Sequence, residues 1–427
     1  MTTELLGITK RAEREGRYRF QNLFGLLNKD LLLNNFRKIK KGKAAGIDGV
    51  TAEQYEAALE VNVEDLVSRL KEGRYRPERI RRCYIPKGEG ELRPLGILTT
   101  EDKLLQLSAA EILEAIYEQD FLPVSFGYRP GVGAHDALDC IKVKLQKGRY
   151  KYIVEADVKG YFNNINHDWL MKMLKQRIDD KPFLRLLKKW LKAGVLETDG
   201  SVEYPETGTQ QGGGISPVLA NIYLHYVLDL WFERVVKKSC RGEARLVRYA
   251  DDWICAFEYP EDAERFFAAM EKRLGKFGLE LSAEKTRIIS FNRFKRRQGS
   301  FEFLGMEFRW GKDSKGQAHV DRRTSPKRLR RTVKAMTEWC RSNRHAKLSI
   351  FFTKLKQKLR GYYNYYAIIG NSKSVGRFHF LIMQLVYKWL NRRSERRSYN
   401  WLGFKELLKH FNISNPKIMH RPVKMYA

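Results

Sequence analysis

Leu246-Val247-Arg248-Tyr249 and Trp253-Ile254-Cys255-Ala256-Phe257 are two short runs of strand-forming residues, separated only by Ala250-Asp251-Asp252. Branched and aromatic residues on both sides of a turn-forming break favour pairing of the two runs as a hairpin. Adjacent carboxylates are costly to bury uncompensated, so this spacing displays Asp251 and Asp252 at the hairpin tip, as a site for a divalent metal would require. The flanking pattern supplies a sheet for the hairpin to join. Tyr152-Ile153-Val154-Glu155-Ala156-Asp157-Val158 reads as a strand, followed by helical segments near 168–193 and 216–238. After the hairpin come a helix near 261–277 and strand-like pieces at 287–291 and 301–308. This order predicts an α+β unit, a small sheet with helices packed on one face.

Upstream, residues 21–43 have helical periodicity and end in the basic, glycine-punctuated loop Lys40-Lys41-Gly42-Lys43. A second helix is expected over 52–72. Residues 81–97, with a turn at Gly88-Glu89-Gly90, read as a hairpin with basic residues on both arms, suited to clamping phosphates. Beyond Gly311 the pattern changes to basic amphipathic helices near 326–341, 348–366, 375–392 and 401–411, a separate helical module.

The formal net charge of +31 over 427 residues points to a polyanionic partner, and 43% apolar content excludes a merely disordered basic chain. Lys and Arg are spread along the sequence, whereas adhesion to a membrane would concentrate them. Five dispersed cysteines fit neither a disulfide framework nor a zinc ribbon, and no run is long and apolar enough for a membrane span. The expectation is a reduced, cytoplasmic protein with no membrane partner.

Asp157 ends its strand far upstream of Asp251, a separation that only a fold closes. If the three carboxylates meet at one sheet edge, they can hold two Mg²⁺ ions about 3.5 to 4 Å apart for in-line phosphoryl transfer. The other reading of the same spacing is a strand-end cap and an ordinary turn.

Further blocks in order shift the balance. Gly46-Ile47-Asp48-Gly49, Ile85-Pro86-Lys87 with Arg93-Pro94-Leu95-Gly96-Ile97, and Ser125-Phe126-Gly127-Tyr128-Arg129-Pro130-Gly131 precede Asp157, Tyr161-Phe162 and Asn166-His167. Gln211-Gly212-Gly213, Ser216-Pro217, Leu219-Ala220-Asn221, the hairpin, Glu284-Lys285-Thr286 and Phe303-Leu304-Gly305 follow. With these blocks the chain resembles the reverse transcriptases encoded by bacterial group II introns, over about residues 45–366.

The resemblance implies a right-hand polymerase with fingers in 1–145, a ferredoxin-like palm in 146–312 and an all-helical thumb or maturase domain in 313–427. It implies catalytic metal ligands Asp157, Asp251 and Asp252, holding two Mg²⁺ for which Mn²⁺ can substitute. Phe162, five residues past Asp157, falls at the steric gate against a 2′-hydroxyl; read without the family, it is a core aromatic. Lys87 and Arg93 fall at the triphosphate clamp, Gln211 beside nucleotide and template, and Lys285 near the pyrophosphate. Three departures touch loop geometry: Gln210 for the family's Pro, Tyr161 for a common Phe, and Asn163 for a common Asp.

In the helical module, Leu359-Arg360-Gly361-Tyr362-Tyr363-Asn364-Tyr365-Tyr366 resembles the family's thumb signature. Aromatics interleaved with cations can stack on bases or pack a helix seam, and Tyr362, Tyr363 and Tyr366 divide between those roles. Arg129, Arg360 and these tyrosines are the expected RNA contacts. The Cys and His residues show no spacing for a C-terminal endonuclease. The implied partners are an RNA template, a DNA or RNA primer, dNTPs and intron RNA. Two other roles stay open: a maturase acting mainly in RNA folding, and a free-standing enzyme of repair or phage defence.

Overall fold

The structure is a computed structural model that describes residues 3–88, 91–210, 212–294, 299–394 and 398–420. Eleven strands are named here in chain order. They are β1 (Ile80–Gly88), β2 (Glu91–Ile97), β3 (Tyr152–Ala156), β4 (Val195–Leu196), β5 (Val202–Glu203), β6 (Ala244–Tyr249), β7 (Asp252–Phe257), β8 (Arg287–Ser290), β9 (Phe301–Phe303), β10 (Met306–Lys312) and β11 (Ala318–Thr324).

The central sheet is antiparallel throughout, in the order β6-β7-β3-β8. Helices between β3 and β6 and between β7 and β8 complete a β-α-β-β-α-β unit. Strand side chains alternate between faces. Val154, Ala156, Leu246, Cys255 and Phe257 enter one buried core with the helices around 216–239 and Pro260–Lys276. Ile153, Val247, Ile254 and Ala256 enter another with helix Ala134–Lys147, β9, β10 and the C-terminal helices. The expectation of helices on one face is therefore corrected: the sheet is covered on both, which explains why β7 reads as an unbroken apolar run.

The 81–97 hairpin forms as expected, and its sheet extends in the order β2-β1-β4-β5 through a parallel pairing of Ile80 with Val195. Several helical expectations break where caps or turns intervene. The 21–43 helix shortens to Lys29–Phe36, capped by Asn28. The 52–72 helix divides into Ala52–Glu56 and Leu59–Lys71. The 168–193 segment divides into His167–Leu174 and Lys181–Leu191, each started by a side-chain cap, Asn166 and Asp180. Helices Thr3–Arg14, Thr100–Tyr117 and Ala134–Lys147 were not anticipated.

The strand expected over 301–308 is a tight hairpin, because Leu304 and Gly305 both take positive φ, 50° and 75°. The module after residue 312 is not all helical: β11 pairs with β10 along its whole length before the helices begin at Pro326, behind the Ser325 cap. Helices Leu348–Tyr366, Ser372–Leu390 and Trp401–His410 follow the sequence reading closely. All five cysteines are free. Among the described residues no helix is long and apolar enough to cross a membrane.

Candidate active site

The β6–β7 hairpin closes through Tyr249 paired with Asp252, leaving Ala250-Asp251 as a two-residue turn. Ala250 sits at φ 56°, a left-handed conformation that costs a residue with a Cβ roughly 1–2 kcal/mol. A buried guanidinium holds the turn in that shape. Arg248 is fully buried, and each of its five N–H groups has an acceptor. Nε and Nη2 donate to the two Asp229 oxygens at 2.8 and 2.6 Å, and Nη2 also reaches Ser125 Oγ at 2.6 Å. Nη1 donates to Asn221 Oδ1 and to the Ala250 carbonyl, both at 2.9 Å.

Asn221 and Asp229 lie eight residues apart, which would put them about 80° out of phase on an unbroken α-helix. The π-helical stretch His225–Asp229 widens the turn between them, and both reach Arg248. The other side of the turn rests on Gly127, where any Cβ would overlap the backbone nitrogen of Ala250. Asn221 Nδ2 donates to the Gly127 carbonyl at 2.6 Å, so one side chain ties both supports together.

A cavity of about 650 Å³ opens beside the turn, and its wall brings together Arg93, Asp157, Phe162, Asp251, Asp252 and Lys285. These residues come from four separate stretches of chain. Asp157 follows β3 directly, with its carbonyl accepting from Ser282 N–H at 2.8 Å. Phe162 is half-buried on the short turn Tyr161–Asn163, its ring edge-on to Tyr128 with centroids 6.2 Å apart. The Tyr161 hydroxyl, the group added relative to the common Phe, donates to the Ala220 carbonyl at 2.6 Å. Gly212 and Gly213 line the cavity, whereas Gln211 lies outside the described residues, as does the side chain of Lys87 on β1.

Negative charge accumulates in this wall. Burial raises the Asp251 carboxyl above its ordinary value, and the nearby Asp157 adds to the rise while Arg93 and Arg248 oppose it. Asp252 is pushed up to about 6, first by burial and then by Asp251 and Asp157, with Lys285 opposing. Asp157 is neutralised by a cation: its Oδ2 accepts from Lys285 Nζ at 2.7 Å. Among the described residues no three His, Cys, Asp or Glu side chains converge closely enough to hold a metal ion. The donor set nonetheless suits a hard divalent cation, since three carboxylates share a wall in which two repel each other as anions.

The sequence profile of the reverse transcriptase (RNA-dependent DNA polymerase) family matches residues 85–308. The chain belongs to the reverse transcriptase family. This reverse transcriptase is 31% identical over 321 residues to Protein YkfC of Escherichia coli K12, covering 67% of this chain and 82% of that one. It is 34% identical over 282 residues to Group II intron-encoded protein LtrA of Lactococcus lactis, covering 63% of this chain and 46% of that one. The 91 kDa protein in the cob intron of Schizosaccharomyces pombe is 37% identical over 210 residues, covering 49% and 26%. The chain thus spans less than half the length of two of these relatives.

The expected RNA contacts of the reverse transcriptase fare differently. Tyr362 and Tyr366 are buried, Tyr362 stacking on Phe378 at 3.6 Å between centroids, so both are core residues and the expectation of RNA contact is corrected. Tyr363 is half-buried with its hydroxyl 2.7 Å from His379 Nδ1. Arg129 is taken up by Glu118 at 2.9 Å and by the Ser125 and Leu122 carbonyls, which makes it a brace for the 125–127 segment. Arg360 is exposed. Sequence reasoning gave Arg248, Asn221 and Ser125 only as members of motif blocks and missed Asp229. A charged residue inside an apolar strand was the available signal.

Proposed function

We propose that this reverse transcriptase extends a DNA or RNA primer with dNTPs on an RNA template, by phosphoryl transfer at the cavity beside the β6–β7 turn. The observation that carries the reading is the meeting of Asp157, Asp251 and Asp252 with Arg93, Phe162 and Lys285 on one wall. In this proposal Asp157, Asp251 and Asp252 would hold two Mg²⁺, or Mn²⁺ in its place, on drawing closer together than they stand here. When bound, such ions supply Lewis-acid stabilisation of the charge on attacking and leaving oxygens. Arg93, with Lys87, grips the triphosphate, and Lys285 leaves Asp157 to meet the pyrophosphate as it departs. The Phe162 ring closes the space beside the sugar C2′, and Gln211 borders nucleotide and template. Residues 1–145 then act as fingers, 146–312 as palm and 313–427 as thumb, with the protein working in the cytoplasm.

Asp251→Asn is the direct test. Wild-type protein with Mg²⁺ and an RNA template should add dNTPs and the variant should not; extension by the variant at the wild-type rate would remove the assignment.

A second role is favoured by the relatives, which include a group II intron-encoded protein and a nuclear intron maturase of Arabidopsis thaliana. We propose that the protein also binds intron RNA and assists its splicing. Splicing of the host intron at low Mg²⁺ should be promoted by wild type and by Asp251→Asn alike, and no rescue by either would exclude this role.

A further inference from the structure

Helices His167–Leu174 and Lys181–Leu191 stand side by side with their apolar faces turned inward. Leu170, Met173 and Leu174 of the first, and Phe183, Leu187 and Trp190 of the second, are buried in the core. Their outer faces enclose a groove of about 550 Å³, separate from the cavity that holds Asp157. Five exposed cations line it: Lys172 and Lys175 on one wall, and Lys181, Arg185 and Lys188 on the other. The second set recurs at helical spacing and forms a stripe about 10 Å long. Met171 and Leu184 make an apolar floor on which the long stems can lie, and Asp168 is the single acid of the lining.

None of these five cations forms an ion pair among the described residues, and Lys172 has only the Trp169 ring, 4.7 Å away. Some other helical cations of the chain are paired with acids, Lys29 with Glu60 and Glu64, Arg69 with Asp65 and Glu101, and Lys237 with Glu233, whereas this groove gathers five without such a partner. Two facing walls of positive charge repel each other, and a polyanion laid between them relieves the repulsion while releasing its own counterions. Five charges along about 10 Å exceed what a single phosphate neutralises and match a run of backbone phosphates.

We propose that this groove is a second nucleic-acid site, which docks the phosphate backbone of a structured RNA away from the polymerising centre. The proposal deepens the reading of the chain as an RNA-using polymerase and rests on it. Recognition is by charge and helical shape, as is general for duplex RNA, so the groove carries no sequence preference.

The test is the triple variant K181Q/R185Q/K188Q in the full chain, with anisotropy titration of a fluorescent RNA hairpin from 50 to 200 mM salt. All three side chains are exposed, and an unchanged circular dichroism melt controls for folding. The slope of log affinity against log salt should fall by about 2 to 3, and affinity near 150 mM salt by roughly 10- to 100-fold. Addition of dNTPs to a short primer-template at saturating concentration should keep the wild-type rate. An unchanged slope and affinity would overturn the proposal, as would loss of binding confined to a DNA duplex. Failure of the wild-type protein to add dNTPs would instead strike the polymerase reading, so the two failures are distinguishable.

Discussion

Replacing Arg248 tests whether the carboxylate turn is held by its buried guanidinium. Lys keeps the charge but brings three donors where Arg supplies five, so at least two of the acceptors on Asp229, Asn221, Ser125 and Ala250 lose their partner. A buried acceptor left bare costs about 1–3 kcal/mol, which puts Arg248→Lys at about 2 to 6 kcal/mol of destabilisation. Arg248→Met strands the Asp229 carboxylate at zero exposure, a loss of about 3–5 kcal/mol from the ion pair alone. The functional effect is separate from the loss of stability. Once the Ala250 carbonyl is released, the turn can leave its positive-φ shape, and a displacement of Asp251 and Asp252 by about 1 Å is worth roughly 100-fold in rate. Urea midpoints at constant slope read the first effect. Single-turnover dNTP addition below the melting range reads the second, with the rate at saturating dNTP falling and the dNTP KM little changed. A Lys variant that unfolds and polymerises like wild type would refute the argument.

Gly127→Ala drives a methyl into the Ala250 backbone and should lower both stability and dNTP addition, whereas a wild-type melt would mean that the close approach relaxes freely. Phe162→Ala should admit ribonucleotides, read as the ratio of rNTP to dNTP incorporation, and an unchanged ratio would count against the gate. Asp102 is pushed up to about 6, chiefly by burial, against hydrogen bonds from the Tyr75 hydroxyl and the Glu78 N–H. A carboxyl whose folded value is raised contributes stability below its unfolded value near 4 and loses it as pH rises through 6. Asp102→Asn should therefore gain on wild type by about 3 kcal/mol between pH 4 and pH 8 in paired urea titrations. A constant gap between the two proteins would show that Asp102 stays ionised.

The hairpin and its neighbours were legible because period-two burial, turn residues and caps are local. The spacing of Asp157, Asp251 and Asp252 fits a strand-end cap and an ordinary turn as well as a metal site, and only the ordered blocks around them join the three. The support beneath them was not legible in the same way: Arg248 takes partners from positions 125, 221 and 229, and only the π-helical widening before Asp229 brings the last two into phase. Leu304 gave no sign of a turn, since an apolar residue at positive φ contradicts its own preference. β11, Ala-His-Val-Asp-Arg-Arg-Thr, mixes charge into a strand and falls within the module expected to be all helical. Burial of Tyr362 depends on Phe378 of the next helix, a contact that periodicity alone cannot separate from an exposed stacking face.

The parallel pairing of Ile80 with Val195 joins the arm that carries Arg93 to the segment leading into Gly212 and Gly213. Gly212 in turn lies so close to the Gly96 carbonyl that a Cβ there would stand 2.6 Å from it. Both contacts fall at the base of the hairpin, where Ile80 packs against Gly96. Arm and glycine loop therefore share one root, and the position of Arg93 over the cavity is set from the same place as that of Gly212 and Gly213. A substitution that shifts this root, such as Gly96→Val, would disturb both walls of the cavity at once.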